Sequence, residues 1–237
     1  KIQFYAYQRV RDAVTENRAA SGSVVVLDAQ TGGVLAMANY PSFVPGERGR
    51  SDPSARRNLA LVDTAEPGST MKPFIAALAV ESGRFRPSDV LQTPRQLFIT
   101  GLPITDEHSM PMMTVEQILQ RSSNVGTAKM AMTMPAREIW DFYTRVGFGQ
   151  KPQIDFPGRE TGRLRAWQSW RPIDQATVGF GYGVSVSLMQ LAQAYTIFAR
   201  DGDMVPISLV MPEEGQPATP LVRQRVISPE TARAVRK

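Results

Sequence analysis

Cysteine is absent from the 237 residues, which excludes disulfides, thiolate metal sites and cysteine nucleophiles and leaves the redox compartment unreadable. Histidine occurs once, as His108, so no histidine-rich metal cluster can be built, and a Ser-His-Asp triad would have to use that one residue. Its surroundings, ITDEHSMPMM, are polar, and a surface or loop histidine is expected there. Lysine is scarce too, with five among the 27 basic residues, so arginine carries most of the positive charge. No run of 18 apolar residues exists, and the N-terminal KIQFYAYQRV lacks the apolar centre of a signal peptide. No membrane span is therefore expected within this stretch.

The hydrophobic content of 42% is enough to bury a sizeable core, and one main globular unit is expected. The net charge of +5 permits attraction to nucleic acid, a membrane surface or an acidic cell-wall glycan and selects none of them. Arginines gather in RETGRLRAWQSWRP (159–172) with two tryptophans between them, a pattern able to stack bases in a single-stranded groove. No nucleic-acid motif accompanies it. The expectation is a solvated loop whose tryptophans anchor in the core while the arginines pair with nearby carboxylates. The 11 methionines are scattered among helical patterns and read as core packing.

Apolar residues at Ile2, Tyr5 or Ala6, Val10 and Val14 recur near the 3.6 period and predict a helix over residues 2–19. Two short apolar runs, Ser23 to Asp28 and Val34 to Asn39, flank AQTGG and predict a β-hairpin. PSFVPGERGRSDPSARRN (41–58) reads as a long loop. STMKPFIAALAVESG, starting at Ser69 and stopped by Gly83, is apolar on nearly every side and predicts a buried helix, with Pro73 tolerated in its first turn. Thr114 is placed to cap a helix through Val115, Ile118 and Leu119. That pattern breaks at Ser122-Ser123-Asn124, and VGTAKMAMTM begins a new run. REIWDFYTRVGF predicts an amphipathic helix, and the glycine-rich FGYG turn is expected to lead directly into a long apolar helix that ends at Gly202.

Chemistry concentrates in AEPGSTMKPF (65–74). Ser69 and Lys72 lie one helical turn apart, so their side chains share a face. A serine hydroxyl is a poor nucleophile without a base beside it, and histidine is nearly absent. Lysine serves that role where burial lowers its pKa, and Lys72 lies on an otherwise apolar helix. The Ser69 backbone N–H falls among the unpaired donors of a helix N-terminus, ready for a developing oxyanion. An S-x-x-K pattern arises by chance roughly once in a few hundred residues, so the context carries the weight. The S-x-N of Ser122 to Asn124 comes about 50 residues later, at a break where side chains project into a cleft.

AEPGSTMKPF, RSSNVGTAK and FGYGVSVSLMQLAQAY resemble the transpeptidase domain of class B penicillin-binding proteins, and more narrowly that of the septal peptidoglycan synthases (FtsI) of Gram-negative bacteria. Further stretches agree in order, from VVVLDAQTGGVLAMAN through RRNLALVDTAEPGSTMKPF and WQSWRPIDQATVGFGYG to SPETARAVRK. The fold implied is the α/β sandwich shared by penicillin-binding transpeptidases and serine β-lactamases, an antiparallel sheet flanked by helices with the active site at the sheet edge.

The resemblance implies that Ser69 is the nucleophile toward the carbonyl between the two terminal D-alanines of a peptidoglycan stem peptide. It makes Lys72 the base, Ser122 the proton relay to the leaving nitrogen, and Asn124 a hydrogen-bonding partner of the substrate amide and of Lys72. No metal and no cofactor are required. Implied partners are the stem peptides, β-lactam antibiotics that mimic D-Ala-D-Ala, and division proteins including a glycosyltransferase. Nucleic acid is not among them. The implied location is the periplasm, as the soluble domain of a protein anchored in the inner membrane by a segment outside these residues.

Two departures stand out. Ser123 occupies the place of aspartate in S-D-N, and no Lys-Thr-Gly or Lys-Ser-Gly occurs. In the family that third motif lies on a strand that lines the cleft and supplies the second oxyanion donor. Losing one such donor typically costs ~10²–10³ in rate. Residues 1–237 are therefore expected to be part of a transpeptidase domain, cut before that strand and neither stable nor active alone. Rival expectations are a D,D-carboxypeptidase or β-lactamase of the same fold, a non-catalytic β-lactam-binding or division scaffold, and an unrelated basic α/β domain.

Overall fold

The computed structural model describes residues 1–44, 46, 52–210 and 223–237. Helix α1 (Ile2–Glu16) turns Ala6, Val10 and Val14 inward and leaves Tyr5 exposed, so the apolar period runs through Ala6. The predicted hairpin forms as β1 (Gly22–Leu27) and β2 (Val34–Tyr40), antiparallel with Val24 opposite Ala38 and Val25 opposite Met37. Its alternation gives it two apolar faces: Val24, Ala38 and Tyr40 pack on α1, whereas Val25, Leu27 and Met37 pack on Leu61, Met189 and Ile207. On the edge of β2 away from β1, the Gln3 side chain takes both backbone groups of Met37, at 2.9 and 3.0 Å, and so blunts that edge. Part of the loop expected over 41–58 lies outside the described residues. Its far end is a 3-10 turn at Pro53–Arg56, capped by Asp52.

Helix α2 (Leu59–Val62) and the short strand β3 (Thr64–Ala65) lead to a 3-10 turn at Gly68–Met71, and α3 (Lys72–Glu81) follows. The single helix predicted from Ser69 is thus split. The turn holds the serine, and the α-helix proper starts at Lys72 with Pro73 in its first turn, where a missing N–H costs little. Phe74, Ile75, Ala76, Ala77 and Ala79 are fully buried, as the all-round apolar pattern requires. Phe74 meets Phe148 and Tyr195 edge to face, with centroids 5.4 and 5.2 Å apart. Burying Phe74 and Ile75 contributes about 1.5–3 kcal/mol each, so α3 is a fixed platform for what stands at its first turn.

Residues 90–114 hold structure that the sequence reading left as loop. Strand β4 (Val90–Gln92) pairs with β7 (Met112–Thr114), and β5 (Gln96–Ile99) forms a hairpin with β6 (Leu102–Thr105). Leu97, Ile99 and Ile104 turn inward against Val125, Ala128 and Ile173. His108 lies exposed in the loop after β6, as expected. Helix α4 (Val115–Gln120) starts with Thr114 and Gln117 in a reciprocal capping box, α5 spans Asn124–Met132, and α6 spans Ala136–Arg145.

Strand β8 (Arg163–Leu164) and α7 (Pro172–Val178) carry the arginine and tryptophan stretch. Trp170 packs against the core and donates to the Arg165 carbonyl at 3.1 Å, while Arg165 and Arg171 both reach Asp174 at 2.9 Å. The Arg171 hydrogen bond first, then Arg165, hold the Asp174 carboxyl well below the usual range. Trp170 and the two arginines on Asp174 match the anchored, ion-paired loop, whereas Trp167 is half-buried and packs in none of the core clusters. After the FGYG turn comes β9 (Val184–Ser187), flanked by β3 and β8, then α8 (Leu188–Ala199). Strands β10 (Asp203–Met204) and β11 (Gln224–Arg225) pair, and α9 (Pro229–Arg236) packs on α3 and α8.

The fold is the expected mixed arrangement, with one difference. Among the described residues the strands form five small antiparallel sheets rather than one broad one, and the β1–β2 hairpin is the piece covered by helices on both faces.

Candidate active site

Three separate elements meet at one amine. Lys72, at the first turn of α3, is 2% exposed. Its Nζ donates to Ser69 Oγ at 2.9 Å, to Ser122 Oγ at 2.8 Å and to the Ser122 carbonyl at 2.5 Å. Burial pulls the ammonium down from its ordinary 10.5 to about 8, against an opposing pull from Asp106. A neutral fraction of amine therefore exists near neutral pH, beside a serine hydroxyl that is itself exposed.

Backbone conformation aims each hydroxyl. Gly68 has φ +57° and turns the chain into the 3-10 turn that lifts Ser69 outward. Ser122 stands at φ +54°, in the left-handed region that disfavours side chains, just past the end of α4. There the Ser123 N–H returns to the Ile118 carbonyl at 2.9 Å, a helix ending that usually takes glycine or asparagine. A serine at that position points its carbonyl and its hydroxyl at the same amine.

Asn124 starts α5, but its Nδ2 donates to the Thr105 carbonyl at 3.0 Å, and it makes no hydrogen bond to Lys72 among the described residues. The structure thus brings the Ser69 and Ser122 hydroxyls to the one Lys72 amine and sets Asn124 nearby at the start of α5, bonded to the last residue of β6.

Two carboxylates, Asp106 and Glu66, and the glycines of the FGYG turn also shape the site and were missed in the sequence. Asp106 accepts from Ser123 Oγ and from the backbone N–H groups of Asn124 and Val125. Glu66 accepts from the Gly183 N–H at 2.8 Å, and Gly68 N–H donates to the Gly181 carbonyl at 3.2 Å, so the FGYG turn is clasped to the serine turn. The glycines of FGYG and an acid directly ahead of a polar loop were the available signals.

The model of the penicillin-binding protein transpeptidase domain matches residues 22–237. The chain belongs to this family. It is 44% identical over 236 residues to the probable peptidoglycan D,D-transpeptidase PenA of Neisseria gonorrhoeae, covering 100% of this chain and 40% of that protein. Against the peptidoglycan D,D-transpeptidase FtsI of Escherichia coli K12 it is 38% identical over 210 residues, covering 88% of this chain and 35% of the other. Among solved structures, the apo transpeptidase domain of Burkholderia pseudomallei penicillin-binding protein 3 aligns with a TM-score of 0.88 at 42% identity, over 99% of this chain and 66% of that one. The chain spans about 40% of the length of the first curated relatives it matches. In a penicillin-binding transpeptidase domain, a buried lysine within hydrogen-bond reach of two serine hydroxyls is an arrangement suited to acyl transfer through a serine ester.

Proposed function

We propose that these residues belong to a serine D,D-transpeptidase that cross-links peptidoglycan stem peptides and is acylated by β-lactams. The observation that carries this reading is the buried Lys72 amine within hydrogen-bond reach of both Ser69 Oγ and Ser122 Oγ. Neutral Lys72 takes the proton from Ser69 as its Oγ bonds to the carbonyl carbon between the two D-alanines. The Ser69 N–H, at a helix start, receives the oxyanion. The C–N bond then breaks, and the proton passes from Lys72 through Ser122 Oγ to the departing nitrogen, releasing D-alanine. An amine from a second stem peptide attacks the ester and gives its proton to Lys72. The C–O bond breaks, and Ser69 regains its proton. A β-lactam follows the first half, with its nitrogen still tethered.

Asn124 is assigned to the substrate amide, through the carbonyl oxygen that its bond to Thr105 leaves free. The Lys-[Ser/Thr]-Gly strand is assigned to the remainder of a longer domain of which residues 1–237 are a part. Septal division, divisome partners including a glycosyltransferase, and a periplasmic location with an inner-membrane anchor are proposed by likeness to FtsI of Escherichia coli. No helix among the described residues is long and apolar enough to cross a membrane.

Intact mass before and after exposure of the whole protein to a penicillin tests the reading. One drug equivalent is expected on the parent and none on Ser69→Ala. An adduct that survives Ser69→Ala overturns it, and rapid turnover to hydrolysed penicillin would make the protein a β-lactamase.

A further inference from the structure

We propose that Asp106 is the positioning residue of this site: its carboxylate pins the turn that presents Ser122 and sets a negative charge against the Lys72 side of the cleft. The inference deepens the transpeptidase reading and rests on it for the chemistry being positioned.

Asp106 follows β6 directly and is 9% exposed. One oxygen accepts from Ser123 Oγ at 2.5 Å, and the other accepts from the N–H groups of Asn124 at 2.6 Å and Val125 at 3.0 Å. Those two amides belong to the first turn of α5, where no helical carbonyl is available to them and the helix dipole favours an anion. Ser123 is 1% exposed, and its hydroxyl accepts from Gly126 N–H at 2.9 Å while donating to Asp106. A continuous relay of donors thus runs from inside α5 to this one carboxylate.

Ser122 stands immediately before these anchored residues. A serine at φ +54° is strained and persists only where its surroundings over-determine it. The end of α4 holds it on one side, through Ser122 N–H to the Leu119 carbonyl at 3.1 Å and Ser123 N–H to the Ile118 carbonyl at 2.9 Å. Asp106 holds the other side. With both in place, the Ser122 carbonyl and hydroxyl have a single orientation, and both accept from Lys72.

The same carboxylate acts on the amine itself. Around Lys72 stand the hydroxyls of Ser69 and Ser122. The charged groups on the packed elements are Glu66 ahead of the serine turn, Glu81 on α3, Glu116 and Arg121 at the two ends of α4, Lys129 in the last turn of α5, and Asp106. Of these, Asp106 favours the protonated amine, against the stronger effect of burial.

Asp106→Asn and Asp106→Ala separate the two roles. The asparagine keeps an oxygen for the two amides and offers an N–H to Ser123 Oγ, so it removes the charge and leaves the anchor. The alanine removes both. Lys72 is followed by NMR titration of isotope-labelled lysine in the whole protein, assigned by its loss in Lys72→Met. Acylation by a penicillin is measured across pH and divided into binding and bond formation.

In Asp106→Asn, Lys72 is expected to titrate lower than in the parent. The acid limb of acylation is expected to move to lower pH with it, with penicillin binding changed by no more than about twofold. In Asp106→Ala, bond formation is expected to fall roughly 10²-fold, the scale of an ångström-sized misplacement of a catalytic group. If that variant does not fold, the asparagine variant decides. An unmoved Lys72 titration in Asp106→Asn overturns the proposal, as does a folded Asp106→Ala that acylates at the parent's rate. A parent that takes no penicillin while its Lys72 titration still responds to Asp106→Asn overturns the transpeptidase reading and supports the placement of Asp106.

Discussion

Lys72→Met is expected to lose roughly 10²–10⁴-fold in acylation by penicillin and to be at least as stable as the parent at pH 7. The loss follows from removing the one amine that touches both serine hydroxyls. The stability follows from the cost of burying that amine. Its folded value of about 8 lies below the ordinary 10.5, so between those values the unfolded chain holds more protons than the folded one. The penalty is therefore complete below about pH 8 and fades as the pH rises toward 10.5. Ser69 and Ser122 are exposed, so water reaches the mouth of the site and reduces the penalty to about 1–3 kcal/mol. Methionine fills the same unbranched volume without a charge, and the serine oxygens it leaves behind rehydrate. Urea unfolding of parent and variant at pH 7 and pH 10 is expected to show the largest gain at pH 7. A variant that acylates like the parent would remove Lys72 as the base.

The same shift sets the pH dependence of the parent. Only the neutral amine accepts the Ser69 proton, so the acylation rate is expected to rise about tenfold per pH unit and to level off near pH 8. A profile flat from pH 6 to pH 9 would mean that proton removal by Lys72 does not limit the reaction.

Much of this site was legible because it is local. Ser69 and Lys72 are three residues apart, and a turn followed by a buried helix brings them together whatever the rest of the chain does. The break at Ser122 was legible because two apolar periods fail to join there. Asp106 was not, because it acts on residues 17 to 19 positions away through a hairpin whose outward face is itself apolar. Phe98 is 61% exposed and stands opposite Pro103, so the inward Leu97, Ile99 and Ile104 do not alternate with polar neighbours. Period-2 reading needs that contrast, and without it the stretch reads as loop. The split of the Ser69 helix was hidden for a related reason. Apolar patterning reports which face is buried, whereas the change from a 3-10 turn to an α-helix is set by the left-handed Gly68 ahead of it and by Pro73.

Gly181→Ala is expected to destabilise the protein by about 3 kcal/mol or more and to depress acylation in whatever fraction stays folded. Gly181 has φ +88°, and a Cβ built there falls 2.1 Å from the Gly68 oxygen and 2.4 Å from the Gly68 nitrogen. Both clashes are with backbone, so no side-chain rotation relieves them, and the turn that carries Ser69 must move. That movement breaks the bond from Gly68 N–H to the Gly181 carbonyl and draws on the clasp between Glu66 and Gly183. Gly68→Ala supplies the control. Gly68 is also left-handed, at φ +57°, but nothing lies within 4 Å of its built Cβ, so only the conformational cost of about 1–2 kcal/mol is expected. Against a total stability of about 5–15 kcal/mol, the first change is severe and the second tolerable. Urea midpoints and penicillin labelling of the two variants side by side decide it. Equal losses would show that the left-handed backbone alone matters at both positions. A larger loss at Gly181 would show that the close approach of the FGYG turn holds the nucleophile in place.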